Sequence, residues 1–483
     1  MVATAAAAKA LGRPIVYVQG NIHAGEVEGK DALLALLRDL TTSQKPNALD
    51  SVVLIAVPIY NADGNERFAS QSVNRTEQNG PELVGQRANA QNLDLNRDYV
   101  KAEAPETRAS LAMFNAWDPD VFVDLHTTDG SFHGYALTYS PSLSPAAVFG
   151  GVYARDSLLP VLRQRMRSRD GFEIFDYGNF VSDERALISD TSVHEGWATY
   201  DSRPRFGTNY YGIRGRIGIL SEAYSHDSLE RRIASTYAFV EEILSLVAEK
   251  SQAIQSLSAR ADSQPMAWGR APDSLQMIAV RSELLATPRT MEVIKEDVLK
   301  TGDSSFTQPG VPRGERRSGI FRSIRMPVYD RFTSTLDRLP PAAYVLAPPE
   351  TAAVNLLRLH GVRVDRSDSA WSARGETFTI DSIITSPRAF QGHHEVRLKG
   401  SWQRGLQALP QKSFIVSTAQ PRGALIVYLL EPESEDGLAT WNFFDADLKK
   451  GGRFPVTRIF DLSRRGRAAP RRSSASTTQS PQN

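Results

Sequence analysis

Short apolar runs alternate with stretches of helical period through the first half of the chain. The runs 15–18, 52–57, 121–125 and 217–220 are rich in Val, Ile, Leu and Phe and lead into polar or turn-forming residues. Such runs suit strands covered on both faces of a sheet. Between them, Leu33, Leu34, Leu36, Leu37 and Leu40 mark the apolar face of a helix over 31–40, and 104–117, 146–167 and 229–249 carry similar patterns. The alternation predicts an α/β fold, a mixed sheet flanked by helices.

Beyond Glu249 the pattern changes. A Ser-, Ala- and Gln-rich stretch over 250–265 reads as a linker. From 266 to 462 strand-like segments dominate, at 343–346, 376–384, 395–398, 413–417 and 424–430, with turn residues between them. The expected organisation is therefore an α/β domain over 1–249, the linker, a smaller β-rich domain over 266–462, and a tail over 463–483. That tail holds Arg464, Arg465, Arg467, Arg471 and Arg472 among Ser, Thr, Gln and Pro, a composition that cannot bury a core and predicts disorder. The first strand starts almost at once, at 14–19: either the domain starts abruptly or upstream sequence is absent.

Composition narrows the function classes. Of 483 residues, 56 are basic and 55 acidic, a formal net charge of +1 that draws the protein to neither nucleic acid nor an anionic membrane surface. Cysteine is absent, which removes disulfides, thiolate metal sites and cysteine nucleophiles. No apolar run approaches the ~18 residues of a membrane span, and residues 1–10 are too short and weakly apolar for a secretion signal.

Four segments carry chemistry. Gly20-Asn21-Ile22-His23-Ala24-Gly25-Glu26 places an H-x-x-E between a buried strand and an apolar-faced helix, at the strand's carboxyl end where open α/β sheets bind ligands. Imidazole and carboxylate suit zinc, whose catalytic sites use three protein ligands. Val121-Phe122-Val123-Asp124-Leu125-His126-Thr127 is a second buried strand that ends in a histidine. Neither motif is specific alone, but together they deliver metal-type side chains to one sheet edge. Gln91-Asn92-Leu93-Asp94-Leu95-Asn96-Arg97-Asp98-Tyr99 is strand-like; Arg97 with Asn96 suits a forked grip on a carboxylate, and Asp94 suits the second N–H of a ligating histidine. Gly218-Ile219-Leu220-Ser221-Glu222-Ala223-Tyr224 brings a carboxylate to a strand end, where it suits a general base.

In this order the four segments resemble the zinc carboxypeptidases related to carboxypeptidase A, over roughly residues 14–245. The resemblance implies one zinc ion held by His23, Glu26 and His126, Glu222 as general base, and Asp94 as the partner of His23. It implies Asn96 and Arg97 as the grip on the terminal carboxylate of a peptide substrate. Arg87 resembles the arginine that stabilises the oxyanion, with Arg75 as competitor; Tyr210 or Tyr211 is the candidate for the tyrosine that covers the substrate. The implied activity is hydrolysis of C-terminal peptide bonds. An aspartoacylase-like zinc amidohydrolase acting on N-acyl amino acids, a cell-wall-peptide carboxypeptidase and a catalytically inactive binding module are the alternatives. Such enzymes are often secreted or periplasmic; composition and motifs assign neither compartment nor oligomeric state. Arg214 and Arg216, shortly before Glu222, read first as surface arginines of a Gly-rich loop and, as the alternative, as a pocket that favours acidic C-terminal residues. His393-His394-Glu395 is expected to be a structural strand segment, and His194-Glu195 and His133 to be loop residues, His133 close to the cleft.

Overall fold

The computed structural model describes residues 2–181, 195–272, 276–285, 290–462 and 466–467. Six strands form the central sheet: β1 (Ile15–Gly20), β2 (Val53–Val57), β3 (Val121–Thr127), β4 (Leu137–Pro141), β5 (Ile174–Asp176) and β6 (Ile217–Ala223). Their spatial order is β2-β1-β3-β6-β4-β5. The first four are mutually parallel, β4 runs antiparallel to β6, and β5 is parallel to β4, so the sheet is mixed as expected.

Alternation along the strands builds a core on each face. Val16, Val18, Val121 and Val123 meet Leu33, Leu36 and Leu40 of helix α1 (Glu28–Thr42) and Phe239, Val240 and Ile243 of helix α2 (Leu229–Glu249). Tyr17 and Phe122 face the other way, into a cluster with Leu111, Phe114 and Tyr211. That cluster continues without a break into the second half of the chain, through Tyr344, Leu357, Leu425 and Trp441.

The expected linker is not one. Ser251–Arg270 is a helix, α3, which follows α2 after a break at Lys250 and buries Ile254, Leu257, Ala261 and Pro265 along one side. The Ser/Ala/Gln composition concealed an i, i+3, i+7 spacing that a helix uses. Nor does the second half stand apart. A long hairpin, β7 (Thr290–Lys300) with β8 (Glu315–Tyr329), joins the strands Trp197–Ala198 and Asn179–Phe180 of the first half in one four-stranded sheet. The remainder is an antiparallel sheet in which Phe414–Ser417, Ala343–Leu346, Arg453–Ile459, Trp371–Thr385 and Val396–Leu409 are neighbours in that order.

This region is β-rich, as expected, except that 424–430 lies in a helix, Gly423–Leu430, instead of a strand. Its apolar sequence is buried almost throughout, and periodicity cannot separate such a helix from a core strand. Gly466–Arg467 pair with Trp371–Ser372; the rest of the basic tail, like His194, lies outside the described residues. Among the described residues no helix is long and apolar enough to cross a membrane.

Candidate metal centre and its cleft

The loop after β1 turns sharply enough to bring His23 and Glu26 to one point. Asn21 adopts a left-handed backbone (φ 61°), its side-chain amide donates to the Ala24 carbonyl, and the Glu26 N–H donates to the His23 carbonyl. Asparagine tolerates that conformation better than most residues. At Gly29, in the first turn of α1, a Cβ would lie 2.8 Å from Cβ of Leu125, so only glycine lets the helix approach β3 this closely. Leu125 directly precedes His126.

The three expected ligands converge. His23 Nδ1 is 2.9 Å from Glu26 Oε1, His126 Nδ1 is 2.9 Å from Glu26 Oε2, and the imidazole centroids are 4.9 Å apart. One donor atom from each residue lies within 4.8 Å of the others, and all three side chains are buried. Behind them stand carboxylates: His23 Nε2 is 3.0 Å from Asp94 Oδ1, and His126 Nε2 is 3.1 Å from Asp124 Oδ2. A carboxylate on Nε2 favours the Nε2–H tautomer and leaves the Nδ1 lone pair to a cation, the usual outer shell of a metal-binding histidine. Two imidazole nitrogens and a carboxylate oxygen are a zinc donor set, so the residues present fit the ion.

Electrostatics reinforce the charged forms. Burial raises the Glu26 carboxyl, but Arg75 and the two histidines outweigh it and hold the group well below the ordinary range. For Asp94, burial is likewise outweighed, by Arg87 and His23. His126 is disfavoured as a cation by burial, yet Asp124 and Glu26 keep its pKa well above the ordinary imidazole value. Glu222 goes the opposite way. Burial, with Glu26 and Asp129 nearby, pushes it well above the usual carboxyl range, against the opposing pull of His126.

A cleft of about 530 Å³ opens over these groups, lined by His23, Glu26 and His126 together with Arg87, Asn96, Arg97 and Glu222. Asp94, Asn96 and Arg97 sit in a capped 3₁₀ turn, Leu95–Arg97, instead of the expected strand; the Asp94 side chain accepts the Asn96 N–H and so ends the extended run. Asn96 Oδ1 accepts from the Gly207 N–H, and its Nδ2 lies 3.3 Å from His126 Nε2. The Arg97 guanidinium stacks on the Phe206 ring at 4.0 Å. Arg87 reaches the cleft while its Nε donates to Asp94 Oδ2 at 3.0 Å. Arg75 is buried instead, donating to Glu26 and to the Thr127 and Thr128 carbonyls.

Tyr210 and Tyr211 do not reach the cleft. Both are fully buried on the helix Gly207–Ile213, where Tyr210 Oη is 2.7 Å from His360 Nδ1 and Tyr211 stacks on Phe114 at 3.9 Å. Every residue of that helix is buried, and Thr208, not either tyrosine, is its residue that lines the cleft. The aromatic wall is supplied by Tyr177, Tyr200 and Phe206, whose rings pack edge to face at 5.7 and 5.3 Å. These three, and Asp129 beside them, were missed because they lie in aperiodic segments between the motifs.

Arg214 and Arg216 are engaged away from the cleft as well. Arg214 donates to Asn115, and Arg216 to Asp118 and Asp262. His133 lies behind the site, its ring 4.3 Å from Tyr224, with burial pushing its pKa down to about 3. His393, His394 and Glu395 go to separate partners, Glu103, the Ser386 carbonyl and Arg205.

Fold and site together set a His–Glu–His group, of a geometry that suits a single metal ion, at the carboxyl edge of a mixed sheet. The family model described as zinc carboxypeptidase matches residues 1–148 of the chain. Carboxypeptidase 2 of Trichophyton tonsurans is 22% identical over 473 residues, covering 92% of this chain and 76% of the relative, and Carboxypeptidase 2 of Trichophyton rubrum matches to the same degree over 472 residues. Among solved structures, a metallo-carboxypeptidase from Burkholderia cenocepacia aligns with 50% of this chain and 58% of its own, at 19% identity and a TM-score of 0.35. A metallo-carboxypeptidase from Pseudomonas aeruginosa aligns with 51% of this chain and 58% of its own, at 17% identity and the same score.

Proposed function

We propose that the protein is a zinc-dependent metallocarboxypeptidase that removes residues from the C-terminus of peptides. The observation that carries this reading is the sharing of one cleft by a His–Glu–His donor set, a strand-end carboxylate and two arginines. The carboxypeptidase relatives span most of the chain, which disfavours an aspartoacylase-like enzyme.

His23, Glu26 and His126 would hold the ion, and zinc there supplies Lewis acidity that activates water and polarises a carbonyl. The remaining roles belong to the chain's own side chains. Arg97, backed by Phe206, grips the terminal carboxylate, and a free N–H of Asn96 assists. Glu222 takes a proton from the attacking water and returns it to the leaving amine; burial pushes its carboxyl above the usual range, the direction that strengthens it as a proton acceptor. Arg87, aligned by Asp94, donates to the oxygen that gains charge, a contribution typically worth about 10²–10³ in rate.

The test is zinc content measured alongside cleavage of one peptide offered with a free C-terminal carboxylate and with a C-terminal amide, the products resolved by mass. Stepwise loss of terminal residues is expected, with the free acid strongly preferred over the amide. Equal cleavage of the amide, internal cutting, or a protein that takes up no zinc would overturn the proposal.

A further inference from the structure

The second half of the chain meets the first in a buried polar contact directly behind the carboxylate grip. Asp436, fully buried, accepts from the Arg205 backbone N–H at 2.8 Å and from its guanidinium at 2.9 and 2.7 Å. Glu395 accepts a further Arg205 N–H at 2.8 Å. Trp441 donates to Asp436 at 3.0 Å, and its ring lies 4.5 Å from the Arg205 guanidinium on one count and 4.5 Å from the Lys101 ammonium on another.

Both cations are fastened to the substrate end of the cleft. Arg205 immediately precedes Phe206, the ring under Arg97, while its carbonyl accepts from the Tyr99 N–H and the next residue but one, Gly207, donates to Asn96. Lys101 donates to the Arg97 carbonyl at 2.9 Å. The segments 96–101 and 205–207 are therefore clipped to each other, and both are clipped to Asp436 and Trp441. An arginine that must meet a carboxylate in forked geometry tolerates little displacement, because misplacement by about 1 Å can cost about 10²-fold in rate.

We infer that the C-terminal region is a working part of the peptidase, in which Asp436 and Trp441 act as positioning residues that set Arg97 and Asn96 for the terminal carboxylate. This assignment rests on the proposed carboxypeptidase reading. Asp436 touches no substrate and acts only through Arg205 and Phe206. A peptide with an amidated C-terminus offers Arg97 no carboxylate, so the second half should matter for discrimination between the two ends and much less for the chemical step.

The experiment compares full-length wild type with Asp436→Asn on one peptide as free acid and as amide, recording kcat, KM and zinc content. Loss of the charge should raise KM for the free acid and lower the acid-to-amide ratio of kcat/KM about tenfold, with kcat changed less than about twofold and zinc content unaltered. An unchanged ratio, or equal loss on both peptides, overturns the inference, since a purely structural defect moves both alike. Should Asp436→Asn fail to fold, Glu395→Gln removes the charge of the partly exposed acceptor of the same arginine; a fall in the ratio of about threefold is then expected, and none refutes the role. Failure of wild type to distinguish acid from amide would instead strike the carboxypeptidase reading itself.

Discussion

His126 and Glu222 are register partners on adjacent parallel strands, β3 and β6. A candidate metal ligand and the candidate base are thus placed side by side by backbone hydrogen bonding. A slip of one residue would present Ser221 or Ala223 to His126 and turn every side chain of β6 to the opposite face. The apolar residues Ile217 and Ile219 bury on one face and hold that register.

Replacing Glu222 by Gln keeps the shape and removes the proton acceptor. Zinc content should be unchanged, since Glu222 is not among the three donors, while turnover falls by about 10²–10⁴-fold, the contribution of a positioned acid–base group. Metal analysis and kcat on the same preparation check this; near wild-type turnover in the zinc-loaded variant would remove Glu222 from its role.

Asp94 serves two neighbours, His23 Nε2 through Oδ1 and Arg87 through Oδ2. Asp94→Asn should weaken zinc binding about 10- to 100-fold, the usual cost of losing such an outer partner, and leave Arg87 less well aimed. Competition with a chelator measures the first effect directly. Unaltered affinity would mean that His23 needs no carboxylate behind it.

The candidate triad could be read in the sequence because each motif lies at or just beyond the end of a buried strand, and strand ends are what apolar runs mark best. His126 and Glu222 lie in the last residues of their strands, and His23 and Glu26 in the loop that follows β1. The substrate wall was not legible. Tyr177, Tyr200 and Phe206 stand in segments whose backbone follows no period, and their convergence depends on tertiary packing around Leu220. Tyr210 and Tyr211 misled for the converse reason: adjacent tyrosines near a motif resemble a binding wall, yet both are core residues whose hydroxyls find partners in His360 and Ser110. The helix Ser251–Arg270 was hidden by composition, and the role of the second half by distance, since Arg205 and Asp436 are 231 residues apart.

The tyrosine reassignment is open to measurement. Tyr210→Phe should leave kcat and KM unchanged but cost about 1 kcal/mol in stability, because the hydrogen bond to buried His360 is lost. Tyr200→Leu should raise KM by several-fold, because it removes the middle ring of the wall that lines the cleft. Denaturant unfolding and steady-state kinetics separate the two, and the opposite pattern would restore Tyr210 to the substrate.

The contact between His393 and Glu103 joins the two halves across a partly exposed seam and should make their association pH-dependent. His393 Nε2 is 2.9 Å from Glu103 Oε1, and Nδ1 is 2.9 Å from Asn442 Oδ1, an arrangement that both N–H groups of an imidazolium satisfy. The Glu103 hydrogen bond raises the His393 pKa, and the His393 hydrogen bond lowers that of Glu103; Lys101 nearby opposes the first shift and assists the second. A raised histidine stabilises the fold fully below its unfolded value of about 6.5 and ceases to do so as pH rises through the folded value, while a depressed glutamate stabilises above about 4.3 and fails as pH falls through its folded value. The pair therefore contributes most between about pH 4.3 and 6.5. Because Glu103 is more than a third exposed, solvent screening limits the contribution to at most about 1 kcal/mol. His393→Gln should lower the unfolding midpoint at about pH 5.5 and by less at about pH 9, because the charge-dependent part is lost as pH rises through the folded pKa of His393. A deficit that is the same at both values would show that His393 acts through packing against Trp441, its edge-to-face neighbour at 5.6 Å, and not through charge.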